Sequence, residues 1–327
     1  MKQKRFVSIR RIGVLTSGGD GPGMNTAIRS VTRAALSYNL KVSGIIRGYD
    51  GLIDDKVIEL NHRSVSGIIN RGGTILKTAR SERFRKIDGQ KRAIEILKRH
   101  QIDALVVIGG DGSYRGAAEL YKNFKFPTVG LPGTIDNDLC GSDQTVGCHT
   151  AVNTALDAID KIRDTAHSLE RIFIVEVMGR NSGYIAMQVA LGSGAEEIII
   201  PERKFDYKRM YSDIIEGNKK GKVSWIVIVA EGVGRAQDVA KKITKETGLE
   251  TRFVVLGHIQ RGGIPVAPDR ILATRLGAAA VELLVIGVFG KAVGVLQDKI
   301  KIVDLSQACK HKKLPVYEYY ALLKQLT

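Results

Sequence analysis

The chain has 327 residues, of which 44% are hydrophobic and 26% are charged, as in an ordinary globular protein. This length predicts two domains with sizeable cores, and no apolar run is long enough to predict a membrane-spanning helix. Three separated cysteines without metal-ligand spacing indicate free thiols and a cytoplasmic protein. The formal charge of +16 indicates an anionic partner, either phosphorylated small molecules or nucleic acid.

The basic residues do not form one block. They recur singly or in pairs, often beside glycine, as do Arg171, Arg180, Arg252 and Arg261. This scatter favours small phosphates over nucleic acid, because no nucleic-acid-binding module is recognisable and aromatic residues are not interleaved with the basic ones. One local cluster is interpreted as a solvated N-terminal extension: Lys2, Lys4, Arg5, Arg10 and Arg11.

Short apolar runs rich in β-branched residues alternate with segments of helical period, which predicts an α/β fold with a largely parallel sheet. The predicted strands are Ile12–Thr16, Val42–Ile46, Ala104–Ile108, Thr128–Leu131, Arg171–Val177, Glu197–Ile200, Trp225–Ala230, Phe253–Leu256 and Ala292–Leu296. The clearest helix covers about Thr150–Asp164, where apolar residues recur at spacings of three and four. Another covers roughly Pro268–Val285 and has Pro and Asp in its first turn.

Two predicted strands end in the same glycine-rich turn. The segments VLTSGGDGPG and VVIGGDGS each place Gly-Gly-Asp-Gly between a strand and a helix. Such a turn offers backbone N–H groups and a helix dipole to a phosphate, although neither copy is a P-loop or a GxGxxG motif. A single copy could equally be a tight strand-to-helix turn in which glycine only supplies positive φ. Two copies, each with an aspartate, favour a nucleotide site with Mg²⁺ held through Asp20 or Asp111.

The segment LPGTIDNDLCG, residues 131–141, places two carboxylates at another strand end. Open α/β sheets bind ligands at the carboxyl ends of their strands, so Asp136 and Asp138 are candidates for a base, a metal ligand or both. The alternative is an Asx-type turn whose carboxylates cap the next helix. Thr134 adds a hydroxyl that can orient a phosphate or a metal-bound water.

Further strand ends carry charged side chains. VEVMGRNSG carries Arg180, whose planar guanidinium suits a transferring phosphoryl group. LGHIQRGG carries His258 and Arg261, which we interpret as an anion site. Glu231 fits an acceptor for sugar hydroxyls and a helix cap equally well.

The segment GGTILKTAR carries Lys77 and Arg80 behind a flexible glycine pair. Phosphate-binding and carboxylate groups therefore recur at several strand ends. Their common purpose is predicted to be phosphoryl transfer between a nucleotide and a phosphorylated acceptor.

Five segments closely resemble the successive motifs of bacterial 6-phosphofructokinases, in the same order and spacing: GVLTSGGDGPGMN, GGDGS, LPGTIDND, VEVMGR and LGHIQRGG. The resemblance runs from about Ile12 to about Gly294. It implies transfer of the ATP γ-phosphoryl to the 1-hydroxyl of fructose 6-phosphate, with Mg²⁺, in glycolysis.

The resemblance also implies an architecture of two Rossmann-like αβα sandwich domains with the active site in the cleft between them. The larger, ATP-binding domain is expected to comprise residues 1–147 and about 265–313. The smaller, fructose 6-phosphate-binding domain is expected to comprise about 148–264 and 314–327. The family is a homotetramer in which Arg171 and Arg252 reach into a neighbouring subunit's site.

Site residues follow from the resemblance position by position. For ATP they are Gly19, Arg80, Ser81, Gly110, Asp111, Gly112 and Ser113, with Asp111 holding Mg²⁺. For fructose 6-phosphate they are Thr134, Ile135, Asp136, Arg171, Met178, Gly179, Arg180, Glu231, Arg252, His258 and Arg261. Asp136 is the implied base, supported by Thr134 and Asp138, and Arg180 neutralises charge in the transition state.

The phosphoryl donor depends on two glycines. Relatives that use pyrophosphate carry Asp at the position of Gly112 and Lys at that of Gly133, side chains that would obstruct the α-phosphate region of a nucleotide. Both positions are glycine here, which favours ATP. The alternatives are a pyrophosphate-dependent enzyme and a non-catalytic sensor, which would be expected to lack Asp111, Asp136 or Arg180.

The family's effector site binds ADP or phosphoenolpyruvate between subunits. The matching positions are Arg29, Arg33, His62, Arg163, Gly194, Glu196, Lys220 and Lys222. His62 and Val223 stand where arginine and lysine are common, which predicts weakened allosteric control, although Arg63 could substitute for the first cation. Lys77 stands where glycine is frequent and either contacts a phosphate or points to solvent.

Overall fold

The computed structural model describes residues 9–327, and the predicted extension residues Lys2, Lys4 and Arg5 lie outside this range. Within it the strands are β1 Arg11–Ser17, β2 Lys41–Ile45, β3 Val57–Leu60, β4 Ala104–Gly109, β5 Thr128–Pro132, β6 Ile172–Val177, β7 Glu197–Ile199, β8 Trp225–Ala230, β9 Thr251–Val255, β10 Lys291–Leu296 and β11 Lys299–Asp304. The helices are α1 Met24–Ser37, α2 Gly48–Ile53, α3 Ile87–Arg99, α4 Asp111–Phe124, α5 Cys148–Ser168, α6 Tyr184–Ser193, α7 Tyr207–Lys219, α8 Ala236–Thr247, α9 Ala267–Val285, α10 Leu305–Ala308 and α11 Val316–Leu326. Single 3₁₀ turns lie at Arg83–Arg85 and Gly257–Arg261.

The chain divides into two compact units. The first comprises the residues up to His149 together with Arg261–Lys312, and the second comprises Thr150–Gln260 together with Lys313–Thr327. These boundaries fall within four residues of the expected domain boundaries.

The first unit contains a seven-stranded sheet in the order β11-β10-β5-β4-β1-β2-β3. Its five inner strands are parallel, and each edge strand is antiparallel to its neighbour. The predicted α/β class with largely parallel sheets is confirmed. The two antiparallel edges were not expected, because β3 and β11 are mostly exposed and lack the long buried run that identifies an inner strand.

Both faces of this sheet are covered, as a parallel sheet requires. Side chains alternate between the faces along β4, so that Val106 and Ile108 join the core beneath α1 and α9, whereas Leu105 and Val107 join the core beneath α3 and α4. Full burial of such a side chain contributes about 2 kcal/mol, so the ends of β4 are held rigidly.

The second unit contains a four-stranded parallel sheet in the order β7-β8-β6-β9. Apolar side chains of β6 and β8 pack against α7 and α8 on one face. The helix predicted at Thr150–Asp164 begins two residues earlier and ends four residues later, as α5. The other predicted bounds differ from the observed ones by two residues or fewer.

Candidate active site

Three candidate segments of the first unit start at the same edge of its sheet. The strands β5, β4 and β1 are neighbours, and their last residues Pro132, Gly109 and Ser17 lie in register. The TIDND segment and both glycine turns therefore leave the sheet side by side. The backbone N–H of Gly133 donates to the carbonyl of Gly109 at 3.1 Å. This bond links the start of the TIDND segment to the end of β4.

The turn after β1 is held through its carbonyl oxygens. Thr78 Oγ1 donates to the Gly18 carbonyl at 2.8 Å, and Arg261 Nη1 donates to the Asp20 carbonyl at 2.9 Å. Among the described residues, none accepts a hydrogen bond from the N–H of Gly19. The Gly18 and Asp20 carbonyl oxygens of this turn are therefore already hydrogen-bonded, whereas the Gly19 N–H remains available to an anion.

The two Gly-Gly-Asp-Gly copies differ in structure, contrary to the expectation that both form the same turn. After β4 the helix begins at once, with Gly110 as N-cap and Asp111 in its first turn, whereas six residues separate β1 from α1. Asp111 Oδ1 accepts from the Gly112 N–H at 2.6 Å, and Oδ2 pairs with Arg115 at 2.9 Å. Ser113 Oγ donates to the Ser17 carbonyl at 2.9 Å and joins the two turns.

Arg80 and Ser81 follow the segment that is bonded to the first glycine turn. The Gly18 N–H donates to the Ala79 carbonyl at 3.5 Å, so that Arg80 emerges beside this turn with its side chain exposed. Ser81 Oγ donates to Asp50 Oδ1 at 3.1 Å. The structure therefore brings both of these predicted residues to the end of β1.

The TIDND segment alternates between open and buried side chains. Thr134, Asp136 and Asp138 are partly exposed, whereas Ile135 and Asn137 are buried. The Asp136 N–H donates to Thr134 Oγ1 at 3.3 Å, and Thr145 Oγ1 donates to the Thr134 carbonyl at 2.6 Å. One hydroxyl and two carboxylates thus keep partial contact with solvent, although only 14% of the Asp138 side chain is exposed.

Asn137 has no role in the sequence predictions. It adopts a left-handed backbone with φ of 48°, and its Nδ2 donates to the Asp143 carbonyl at 2.9 Å. Asparagine tolerates this conformation better than most residues with a side chain. Asn137 therefore fixes the turn between the two aspartates. In the sequence, only its position between two Asp residues indicates this role.

The carboxylate of Asp138 has a perturbed pKa. Burial raises its pKa above the usual range, and the negative charge of Asp111 acts in the same direction. A backbone hydrogen bond and His311, whose Nδ1 lies 3.7 Å from Asp138 Oδ2, oppose the rise in pKa. The sequence gives no signal for His311, which reaches this loop through the paired segments Leu139–Cys140 and Lys310–Lys312.

Asp111 and Asp138 influence each other through their charges, as two carboxylates that share a cation do. No group of three or more His, Cys, Asp and Glu side chains among residues 9–327 is arranged to hold a metal ion. Mg²⁺ in phosphoryl-transfer sites is commonly bound by one or two carboxylates together with substrate phosphates. The donor set thus fits an ion that arrives with a nucleotide.

The second unit presents another set of groups where β6, β8 and β9 end. The Glu231 N–H donates to the Val177 carbonyl at 3.0 Å, and the Gly232 N–H donates to the Gly179 carbonyl at 3.3 Å. These bonds hold the turn that carries Met178 and Arg180. The side chains of Arg180, Glu231 and His258 are exposed at this edge.

Gln260 is a further residue that the sequence predictions miss. Its side chain is fully buried; Oε1 accepts from the Met178 N–H at 3.2 Å, and Nε2 donates to the Gly257 carbonyl at 3.1 Å. It therefore joins the turn of Arg180 to the turn of His258.

Two predicted residues lie at the opposite end of this sheet. Arg171 precedes β6 and pairs with Glu250 at 2.9 Å, and Arg252 on β9 pairs with the same carboxylate. The six residues of β6 separate Arg171 from Met178, which corresponds to about 20 Å along a strand. A single chain therefore does not bring Arg171 and Arg252 to the edge that carries Arg180. Arg261 belongs to the first unit, at the glycine turn after β1.

The predicted effector residues divide between the units. Arg29, Arg33 and His62 belong to the first, where burial and the charge of Arg33 lower the pKa of Arg29.

In the second unit Arg163 Nη2 donates to the carbonyls of Ser193 and Gly194 at 2.6 and 3.0 Å. Lys222 lies 3.2 Å from Glu196, and Lys220 caps the end of α7. These cations therefore surround a short loop that precedes β7.

Glycine turns, a helix N-terminus and carboxylates at the carboxyl ends of parallel strands define a phosphate-binding α/β protein. Comparison of the sequence with known protein families shows which family of phosphate-binding proteins this is. Residues 11–284 match the family model described as Phosphofructokinase. The chain belongs to the phosphofructokinase family, as its motifs predict.

The chain is similar to known proteins over nearly its whole length. It is 54% identical over 300 residues to the ATP-dependent 6-phosphofructokinase of Clostridium tetani, covering 92% of this chain and 94% of that protein. It is 51% identical over 319 residues to the protein of the same name from Halalkalibacterium halodurans, covering 98% and 100%.

Solved structures show the same fold. Phosphofructokinase from Saccharomyces cerevisiae aligns with a TM-score of 0.84 and 36% identity over 92% of this chain, which spans 45% of the yeast chain. A pyrophosphate-dependent phosphofructokinase from Nitrosospira multiformis aligns with a TM-score of 0.84 and 23% identity over 97% of this chain and 92% of that one. The second likeness concerns the fold alone. No helix among the described residues is long and apolar enough to span a membrane.

Proposed function

We propose that this protein is an ATP-dependent 6-phosphofructokinase. It transfers the γ-phosphoryl group of ATP to the 1-hydroxyl of fructose 6-phosphate and releases fructose 1,6-bisphosphate and ADP. The observation that carries the proposal is the placement of the partly exposed Thr134, Asp136 and Asp138 beside two glycine turns at one sheet edge. The names of relatives more than 50% identical support it.

The nucleotide is held by the first unit. The free N–H of Gly19, the start of α4 from Gly110 to Ser113, and the exposed Arg80 supply donors and positive charge to its phosphates. Ser81 follows in the same segment. Asp111 would hold Mg²⁺, which supplies positive charge to the phosphates when bound.

Asp136 acts as the base toward the sugar hydroxyl. A carboxylate with an ordinary pKa of about 3.9 is a weak base at neutral pH. In a loose transition state the acceptor proton leaves late, so correct placement of the carboxylate matters more than its basicity. The bond from the Asp136 N–H to Thr134 Oγ1 provides that placement, and Asp138 supports it with a second negative charge.

The sugar phosphate is held mainly by the second unit. Arg180 neutralises charge on the transferring group, and Glu231 accepts bonds from sugar hydroxyls. Met178 and Gly179 line the same turn, and His258 with Arg261 binds the 6-phosphate. Ile135 supplies a contact from the TIDND segment.

The choice of ATP over pyrophosphate depends on Gly112 in this structure. A Cβ at Gly133 would lie 2.9 Å from Ile108 Cγ2 and 3.2 Å from Met24 Cε, so packing alone already favours glycine there. A Cβ at Gly112 would meet no atom within 4 Å. The absence of a side chain at Gly112 is therefore not imposed by packing, which supports a nucleotide donor.

We extend the proposal to a homotetramer in the cytoplasm. Arg171 and Arg252 lie at the wrong end of their own sheet to join Arg180, which supports their use in a neighbouring subunit's site. Cys140, Cys148 and Cys309 form no disulfide, which suits a reducing compartment.

We further propose that control by ADP or phosphoenolpyruvate is weak, because His62 and Val223 supply no permanent cations. Saturation with fructose 6-phosphate is then close to hyperbolic with and without ADP. A strongly sigmoidal curve that ADP relieves would contradict weak control.

A donor comparison tests the function. Production of fructose 1,6-bisphosphate is measured with ATP or with pyrophosphate, for the wild type, Asp136→Ser and the exposed control Asp160→Ser. We expect turnover with ATP, loss of kcat by orders of magnitude in Asp136→Ser with similar sugar-phosphate affinity, and no change in Asp160→Ser. Turnover with pyrophosphate alone would support the alternative donor, and ATP binding without turnover would indicate a sensor.

A further inference from the structure

Lys77 has an unusual backbone at the edge of the nucleotide site. Its φ is +54°, in the left-handed region that residues with a Cβ rarely occupy. Its N–H donates to the Thr74 carbonyl at 3.1 Å, and its carbonyl accepts from Thr16 Oγ1 at 2.8 Å. These bonds impose the strained conformation at a position where glycine would adopt it freely.

The same segment fixes Lys77 beside the first glycine turn. Thr16 lies one residue before the end of β1, and Thr78 Oγ1 donates to the Gly18 carbonyl at 2.8 Å. Lys77 and Thr78 are thus both bonded to residues at the end of β1. The base of its side chain is held next to the turn that leaves a free N–H at Gly19.

The ammonium group has no partner within the part of the chain that the structure describes. Lys77 is exposed, and no carboxylate there lies within 4.0 Å of its Nζ. Arg80, three residues on, brings a second exposed cation to the same turn. Two exposed cations beside one glycine turn, with no carboxylate pairing Lys77, provide positive charge that suits a polyphosphate.

We propose that Lys77 binds the phosphate chain of the nucleotide donor and so strengthens its affinity. Positive φ alone does not indicate a function, because nine other non-glycine residues among those described share it, Lys125 among them. The indication is the unpaired charge of Lys77 beside the free N–H of Gly19. This inference rests on the proposed function only in taking the donor to be a nucleotide. Lys77 moves no proton and contributes a hydrated point charge.

The chain offers a matched control in Lys125. This lysine also has φ of +54° and an exposed side chain, but it follows the last residue of α4, about 20 Å along the helix from Asp111. Replacement by glycine removes the same strain and the same charge at both positions. Only Lys77→Gly should affect nucleotide binding.

The test measures ATP affinity by calorimetry, KM values for both substrates, and the urea midpoint for each variant. Lys77→Gly and Lys77→Met are expected to weaken ATP binding and raise its KM about tenfold, with the KM for fructose 6-phosphate unchanged. Lys77→Arg should stay within about threefold of the wild type. Lys77→Gly and Lys125→Gly should both raise the urea midpoint, whereas Lys77→Met, which keeps the strain, should not.

Unchanged ATP affinity in Lys77→Gly and Lys77→Met would overturn the inference while leaving the proposed function intact. An equal loss of affinity in Lys125→Gly would also overturn it, because the effect would then be one of net charge. Wild-type protein that binds ATP without turning over fructose 6-phosphate would contradict the proposed function instead, and the calorimetry would still decide the role of Lys77.

Discussion

The side chain of Gln260 accepts a hydrogen bond from the backbone N–H of Met178 at 3.2 Å while its amide donates to the Gly257 carbonyl at 3.1 Å. One buried amide therefore sets the spacing between the turn that carries Arg180 and the turn that carries His258. Gln260 itself has no exposed atom with which to contact a substrate.

Replacing Gln260 with methionine should weaken sugar-phosphate binding through these two turns. Methionine has a similar volume but removes both bonds and leaves the Met178 N–H unpaired, at a cost of about 2 kcal/mol in the free energy of unfolding. The KM for fructose 6-phosphate should rise about tenfold or more, and the KM for ATP should stay unchanged. Steady-state kinetics and urea denaturation measure both effects.

The exposed residue Gln237 on α8 supplies the control for this change. Gln237→Met should alter neither KM nor stability. If Gln260→Met lowers stability but leaves the KM for fructose 6-phosphate at the wild-type value, Gln260 has a structural role only.

Gly112→Asp should shift the donor preference away from ATP. The position has room for a side chain, and the new carboxylate would stand beside Asp111, where it would repel the phosphates of a nucleotide. We expect kcat/KM with ATP to fall at least a hundredfold with little change in stability. The measurement is a comparison of ATP and pyrophosphate in the same assay, with Gln237→Glu, which adds a negative charge to the exposed side of α8, tested for nonspecific charge effects.

The strand-end motifs could be predicted because each is a contiguous segment in which glycine and charged residues follow an apolar run. Such a pattern shows that Asp136 and Asp111 occupy strand ends, and parallel topology then brings the ends together. Gln260 lies inside one of these motifs, but nothing local shows that its amide turns inward to a residue 82 positions away. The position of His311 likewise depends on tertiary pairing and has no local sign in the sequence. The alternating segment KIKIVD of β11 is compatible with a strand, but nothing in it indicates antiparallel pairing with β10.

Asp138→Asn should make the ligand-free protein more stable at neutral pH. Burial, and secondly Asp111, raise the pKa of Asp138 in the folded state above its unfolded value of about 3.9. The folded state therefore binds the proton more tightly, and this stabilisation is lost as pH rises from the unfolded pKa through the folded pKa. At pH 7 the ionised carboxylate carries the full cost of burial, which asparagine avoids.

Urea denaturation between pH 4 and pH 8, without Mg²⁺ or nucleotide, measures this difference. The curves of Asp138→Asn and wild type should approach each other at low pH and separate toward pH 8, while kcat falls in the variant. Asp160→Asn, on the exposed face of α5, should show no such separation. Lower stability of Asp138→Asn at pH 7 would contradict the assignment of burial as the dominant cause.

Mixed oligomers should separate the roles of Asp136 and Arg252. Arg252 and Arg171 share Glu250 at the opposite end of the sheet from Met178, about 20 Å away, so we expect them to act in the site of another subunit. Asp136→Ser and Arg252→Ala homo-oligomers should each lose most of their activity. Co-expressed hybrids contain sites that combine an intact Asp136 with an intact Arg252 from different chains, and these hybrids should regain a substantial fraction of the activity.

The control is a chain that carries both substitutions, co-expressed with Asp136→Ser, which assembles no intact site. If hybrids are no more active than this control, both residues serve the site of a single chain, and the proposed sharing between subunits is wrong.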